Sequence, residues 1–241
     1  MNDTKRDNSK IICIIPARSG SKRIKNKNIL KIDGIPMIGR VIKILKKTNI
    51  FCKIIVTTDS IRIAKIAKKF GAEVPFVKNK KLSNSKAIIK DVIINTIKKI
   101  NSHDYFIHYV VYPTAILIER HDIINSYKLL KKNIKANMIL PVVQNSSFYR
   151  SLIKEKNKEN IKWKWKKFSK TNSQNLDLAF NDSGTFFAFK TKFFLNSKDV
   201  LCNPVIPFII DKYKGVDVNT IDDLNFLKIA HKMKFFLNKL K

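Results

Sequence analysis

IICIIPARSGSKRIKNKN, residues 11–28, runs through five apolar residues to Pro16 and then turns abruptly basic. Five apolar residues are too few for a helix and read as a strand buried on both faces. The loop that follows, Ala17 to Asn28, carries Arg18, Lys22, Arg23, Lys25 and Lys27 around Ser19-Gly20-Ser21. A Gly/Ser turn exposes backbone N–H groups, and such concavities hold phosphate oxygens. Arg18 and Lys22 would add charge-assisted hydrogen bonds of about 1.5–3 kcal/mol each. The loop is not a Walker A motif, because Lys does not follow Gly20 directly.

Downstream, strands and helices alternate. Pro36 opens a helix whose Met37, Ile38, Val41, Ile42 and Leu45 form one apolar stripe. KIIVT (53–57) is a second buried strand, and Asp59 and Ser60 stand where they cap a helix over 61–70 that stops at Gly71. A helix over 91–100, a strand over 105–112, a helix over 121–132 and a strand over 138–143 follow. This order predicts an α/β fold, a doubly wound and mostly parallel sheet with right-handed crossovers. From about Gln144 to Thr191 the text turns polar with short alternating pieces, IKWKWKKF (161–168) and GTFFAF (184–189), and reads as an inserted β-rich flap. Strands over 205–210 and 214–218 and a last helix over 221–240 return to the core. The expected organisation is therefore a loose arm at 1–10, a core from 11–143 and 192–241, and a flap at 144–191. Trp163 and Trp165, two apart, share one strand face and read as interface or core rather than ligand stacking.

Composition narrows the class. The chain has 241 residues, 44% hydrophobic and 10% aromatic, enough for a core and for one domain of about 100–200 residues with an insertion. No run approaches the ~18 apolar residues of a membrane span. The first ten residues lack the apolar stretch of a signal peptide, and three scattered cysteines (13, 52, 202) make no disulfide framework, so a cytoplasmic protein is expected. The formal charge is +31, from 49 Lys and Arg against 18 Asp and Glu. Because the lysines run along almost every segment and Lys, Ile and Asn are enriched together, the charge reads as codon drift in AT-rich coding DNA. No specific nucleic-acid face is expected, since that would cluster basic residues with stacking aromatics.

IIPARSGSKRIKNKN resembles the N-terminal motif of the sugar-acid cytidylyltransferases, the family that makes CMP-sialic acid and CMP-Kdo. TTD (57–59), FGAEVPF (70–76), YPTA (112–115) and VDVNTIDDL (216–224) agree in order, so the resemblance spans about residues 11–235. Within that family YPTA, SQNL (173–176) and NDSG (181–184) are most similar to the pseudaminate branch. The resemblance implies Mg²⁺-dependent transfer of CMP from CTP to a nine-carbon nonulosonic acid, and a homodimer formed by the flap and last helix.

It also assigns residues. Arg18, Ser21 and Lys22 would hold the triphosphate, with Arg18 and Lys22 as the catalytic cations. Lys27 and Asn28 match the family's K-N pair on the nucleotide. Asp59 is equally a ribose contact or a helix cap. Tyr112 and Thr114 would line the sugar pocket, and Gln174 and Asp182 are sugar contacts or plain surface groups. Asp217 would bind Mg²⁺ in the D-x-D-T stretch, with Asn219 as a neutral oxygen donor at its second position. Lys78 stands where the family has a cytosine-reading Arg, and Asn84 and Ser85 where it has acidic residues. Asp222 and Asp223 favour the N-terminus of the last helix.

Overall fold

The computed structural model describes residues 11–21, 23–77, 88–156 and 158–239. Lys22, Lys78, Asn84, Ser85 and the arm at 1–10 lie outside the described residues.

Strand β1 (Ile11–Pro16) is the buried run the sequence predicts. Its side chains alternate between two cores: Ile11, Cys13 and Ile15 enter one, and Ile12 and Ile14 the other. A small antiparallel pair, β2 (Lys31–Ile32) and β3 (Ile35–Pro36), leads into α1 (Met37–Lys46), with Pro36 at its N-cap. The predicted stripe of α1 is buried. Then come β4 (Lys53–Thr57) and α2 (Ile61–Lys69), followed by Gly71 at φ +93°, where only glycine rests without strain. Next are α3 (Ile89–Lys99), β5 (Ile107–Val111), α4 (Arg120–Lys132) and β6 (Met138–Gln144). The hairpin strands β7 (Leu152–Lys154) and β8 (Ile161–Trp163) stand apart from the main sheet. β9 (Phe180–Asp182), β10 (Phe186–Lys190), α5 (Thr191–Asn196), β11 (Val205–Ile209) and α6 (Ile221–Lys239) complete the chain.

The main sheet runs β11-β6-β10-β5-β1-β4, with β9 beside β6. β1 pairs parallel with β4 and β5, and β11 parallel with β6. β10 is antiparallel to both its neighbours. Helices α1, α2, α4 and α6 contribute to one core, while α3 and α5 contribute to the other. This is the doubly wound, mostly parallel architecture expected.

Two local expectations change. Phe186–Lys190, read from sequence within the flap, is a central strand of the sheet. Phe186 and Ala188 face one core and Phe187 and Phe189 the other, so alternating placement alone did not reveal its two-sided burial. Residues 214–218 form no strand. Lys214 ends a turn, its N–H donating to the Asp211 carbonyl at 2.9 Å, and its side chain is drawn inside at 2% exposure to Glu119 and Asp122. Among the residues between β6 and β9, Phe148 packs on Trp165 at 4.6 Å and Tyr149 on Phe168 at 4.6 Å. Trp165 thus joins a small aromatic core, whereas Trp163 lies exposed on the hairpin, so the two tryptophans part.

Candidate functional site

The basic loop leaves β1 at the carboxyl edge of the parallel strands, where open α/β sheets take their ligands. The Ala17 N–H donates to the Thr57 carbonyl at 2.9 Å, extending the strand pairing one residue. Asp59, just past β4, then receives two hydrogen bonds from one residue. The Ser19 N–H reaches Oδ1 at 2.7 Å and its hydroxyl reaches Oδ2 at 3.0 Å. The cap of α2 is instead Ser60, whose hydroxyl accepts from the Ile63 N–H at 3.3 Å. Asp59 is therefore a clamp on the loop, a role neither of its sequence readings contained.

The far end of the loop is fixed as firmly. Asn26 turns the chain at φ 57°, a left-handed conformation asparagine tolerates. The buried Asn28 donates its amide to the Arg18 carbonyl at 2.9 Å, drawing the two ends of the loop together. Lys27, in the 3₁₀ turn 27–29, donates to the Val218 carbonyl at 2.5 Å. Burial lowers its pKa, and Arg23 and Arg18 push the same way, while Asp217 and Asp223 oppose. Arg18 stays exposed, and Ser21 is half-buried beside the exposed Gly20. The Ser19 N–H is taken by Asp59 and the Ser21 N–H by the Ser19 carbonyl at 2.9 Å, so these two do not stand free as the sequence led one to expect. The loop is a clamped band whose exposed Arg18 guanidinium is suited to phosphate oxygens.

Opposite the loop lies Asp217. Gly184, at φ +62°, backs it so closely that a Cβ there would stand 2.8 Å from the Asp217 Cβ. The Gly184 N–H also donates to Asp182 Oδ1 at 2.9 Å. Partial desolvation raises the Asp182 pKa, the Gly184 hydrogen bond opposes this, and the Asp217 charge adds to it. Desolvation, Asp182 and Asp217 together push the Tyr112 phenol up to about 12. Tyr112, Asp182 and Asp217 therefore share one electrostatic neighbourhood. Asn219 is turned away from the part expected of it. Its amide oxygen accepts from Arg23 at 2.5 Å, and its amide N–H donates to Asp217 Oδ2 at 2.6 Å.

The remaining expected positions are dispersed. Thr114 is buried in the turn after β5, where its carbonyl accepts from the Ile116 N–H at 2.8 Å. Gln174 is exposed in a 3₁₀ turn, 173–175. Sequence reasoning gave Ser19 and Arg23 only a general place in the basic turn, gave Gly184 only a place in the NDSG motif, and assigned no role to Lys214. The first two lay in plain view in the loop, but their partners are 40 and 196 residues away. A second acidic group, Glu119, His121 and Asp122, brings possible ligand atoms within 4.8 Å of one another. The Lys214 ammonium already sits among them, 2.9 Å from both Glu119 and Asp122. That group is an internal ion cluster whose cation is a lysine.

Comparison with known proteins points the same way. The Cytidylyltransferase family model matches residues 12–215. The chain is 30% identical to the pseudaminic acid cytidylyltransferase of Campylobacter jejuni over 226 residues, covering 93% of this chain and 97% of that protein. It is 26% identical to the N-acylneuraminate cytidylyltransferase of Escherichia coli over 211 residues, covering 88% of this chain and 49% of that one. Among solved structures, a CMP:2-keto-3-deoxy-manno-octonic acid synthetase complexed with CTP superposes with a TM-score of 0.72 at 16% identity, covering 93% of this chain and 99% of that one. That likeness speaks for the fold.

Proposed function

The chain belongs to the cytidylyltransferase family, and from that premise we propose that it transfers CMP from CTP to the anomeric hydroxyl of a nonulosonic acid, pseudaminic acid first. Pyrophosphate is the second product; in this reading the protein is cytoplasmic and its activated sugar feeds surface glycan or flagellin glycosylation. The observation that carries this reading is the basic loop clamped by Asp59 and Asn28 at the carboxyl edge, opposite Asp217. Nucleotidyl transfer needs positioned cations and little covalent chemistry from the protein. Arg18, Ser21 and Lys22 hold the triphosphate in this reading, with Arg18 and Lys22 stabilising charge at the α-phosphate. Lys27 and Asn28, which brace the loop through the Val218 and Arg18 carbonyls, stand beside the nucleotide. In the same reading Lys78, outside the described residues, would take the part of the family's cytosine-reading Arg. Tyr112 and Asp182, which share the neighbourhood of Asp217, would meet the acceptor sugar, with Thr114 and Gln174 as the further contacts the resemblance implies.

Asp217 fits a hard divalent cation: its carboxylate is exposed, Gly184 packs against its Cβ, and of its two oxygens Oδ2 accepts from the Asn219 amide. When bound there, Mg²⁺ would supply neutralisation of phosphate charge. Among the described residues no helix is long and apolar enough to cross a membrane.

A homodimer belongs to the same proposal. Phe226, Ile229, Met233 and Phe236 recur at helical spacing on α6 and are each about half exposed or more, and the isolated hairpin β7–β8 exposes Leu152, Ile161 and Trp163. A lone two-stranded hairpin is marginal in water and gains from a covering partner. Sedimentation at micromolar concentration should give the dimer mass, and a monomer would remove this part.

The functional test is incubation with CTP, Mg²⁺ and a panel of pseudaminic, sialic, legionaminic and Kdo acids, reading pyrophosphate. Release with pseudaminic acid above the others is expected. No release with any acid would overturn the proposal.

A further inference from the structure

We propose that Asn219 is a positioning residue, tying the basic loop to Asp217 in place of a second carboxylate, so that a divalent cation joins this site with the nucleotide. The inference rests on the cytidylyltransferase reading and deepens it. The Arg23 guanidinium donates to the Asn219 amide oxygen at 2.5 Å, and the Asn219 amide N–H donates to Asp217 Oδ2 at 2.6 Å. Only one orientation of the amide satisfies both neighbours. The reverse would set NH₂ against a guanidinium and oxygen against a carboxylate. The Asn219 backbone N–H is also fixed, donating to Asp223 Oδ2 at 2.8 Å.

The oxygen a cation would need is therefore already engaged by a cation of the protein. An aspartate at this position would face Asp217 as a like charge, and a divalent ion between them would relieve the repulsion. The asparagine relieves it with an N–H instead. Arg18, Arg23 and Lys27 line the loop side, and Asp182 and Asp223 are the other charged groups beside Asp217 and Asn219. Mg²⁺ binds through one or two carboxylates plus substrate phosphates and sheds water reluctantly. A site with a bridged Asp217 and a cationic rim suits an ion that arrives on the triphosphate. The bridge meanwhile keeps Arg23 and the loop in register with Asp217 before substrate binds.

Mn²⁺ binding to the full chain tests this without turnover, by calorimetry or by the paramagnetic resonance of free Mn²⁺. Wild type, Asn219→Asp and Asn219→Ala are compared, with and without a methylene-bridged, unreactive CTP analogue, after thermal melts show that all three are folded. Without nucleotide, Asn219→Asp should bind Mn²⁺ at least tenfold more tightly than wild type, and Asn219→Ala should match wild type within twofold. With the analogue, wild type and Asn219→Asp should converge. Two results overturn the proposal: nucleotide-free wild type binding Mn²⁺ as tightly as Asn219→Asp, or Asn219→Ala losing fivefold or more, which would make the amide oxygen a ligand. If the analogue binds no variant, the nucleotide reading fails, while the nucleotide-free comparison still judges Asn219.

Discussion

Ser19 and Asp59 show how much of the site hangs on single contacts. Both donors of Ser19 end on one carboxylate, so the loop's first turn has one anchor outside its own sequence. Hydrogen bonds to a charged group contribute about 1.5–3 kcal/mol, and about 1.4 kcal/mol is a factor of ten in rate. Asp59→Ala should therefore lower kcat/KM for CTP at least tenfold in steady-state kinetics, with the thermal midpoint moved only a few degrees, because Asp59 lies at the edge and outside both cores. Unchanged kcat/KM would deny the clamp its role. Nothing local to TTD (57–59) distinguishes a clamp from a cap or a ribose contact, since its partner lies 40 residues back.

At the scale of elements, helix α6 was legible at both levels. Its N-terminus is a reciprocal cap: the Thr220 N–H donates to Asp223 Oδ2 at 2.7 Å and the Asp223 N–H donates to the Thr220 hydroxyl at 3.2 Å. Hydrogen bonds from the Asn219 and Thr220 backbone N–H groups hold the Asp223 carboxyl below its ordinary range. An acid with a depressed folded-state pKa stabilises above its unfolded value and loses that contribution as pH falls. Asp223→Ala should cost about 1 kcal/mol at pH 7, as caps do. The gap between wild type and variant in urea melts should shrink below about pH 4. Strand β10 shows the opposite case. GTFFAF fits a strand, but a polar stretch before it hid that it lies between β5 and β6.

For the whole molecule, the Lys214 cluster joins parts that no local pattern links. Lys214 reaches Glu119 and Asp122 at the start of α4, and Lys234 of α6 reaches Glu119 at 3.5 Å. Burial alone would lower the Lys214 pKa, but the hydrogen bonds from its ammonium to Glu119 and Asp122 outweigh it and raise it. Removing one partner of a buried ion pair costs about 3–5 kcal/mol, and here the buried Asp122 would keep the exposed His121 at 3.3 Å while Glu119 keeps Lys234. Lys214→Met should lose stability in that range by chemical denaturation. A loss below about 1 kcal/mol would mean that the cluster is dispensable.

The sequence by itself determined the alternation of strands and helices, the basic loop after β1 and the family resemblance. Each rests on neighbours within a few residues: apolar runs, helical stripes, caps and contiguous motifs. Only the tertiary structure decided what Asp59 holds, which way the Asn219 amide points, that β10 is central and that Lys214 is buried. Those follow from contacts between residues tens to hundreds of positions apart, whose geometry is set when the sheet brings its carboxyl edge together.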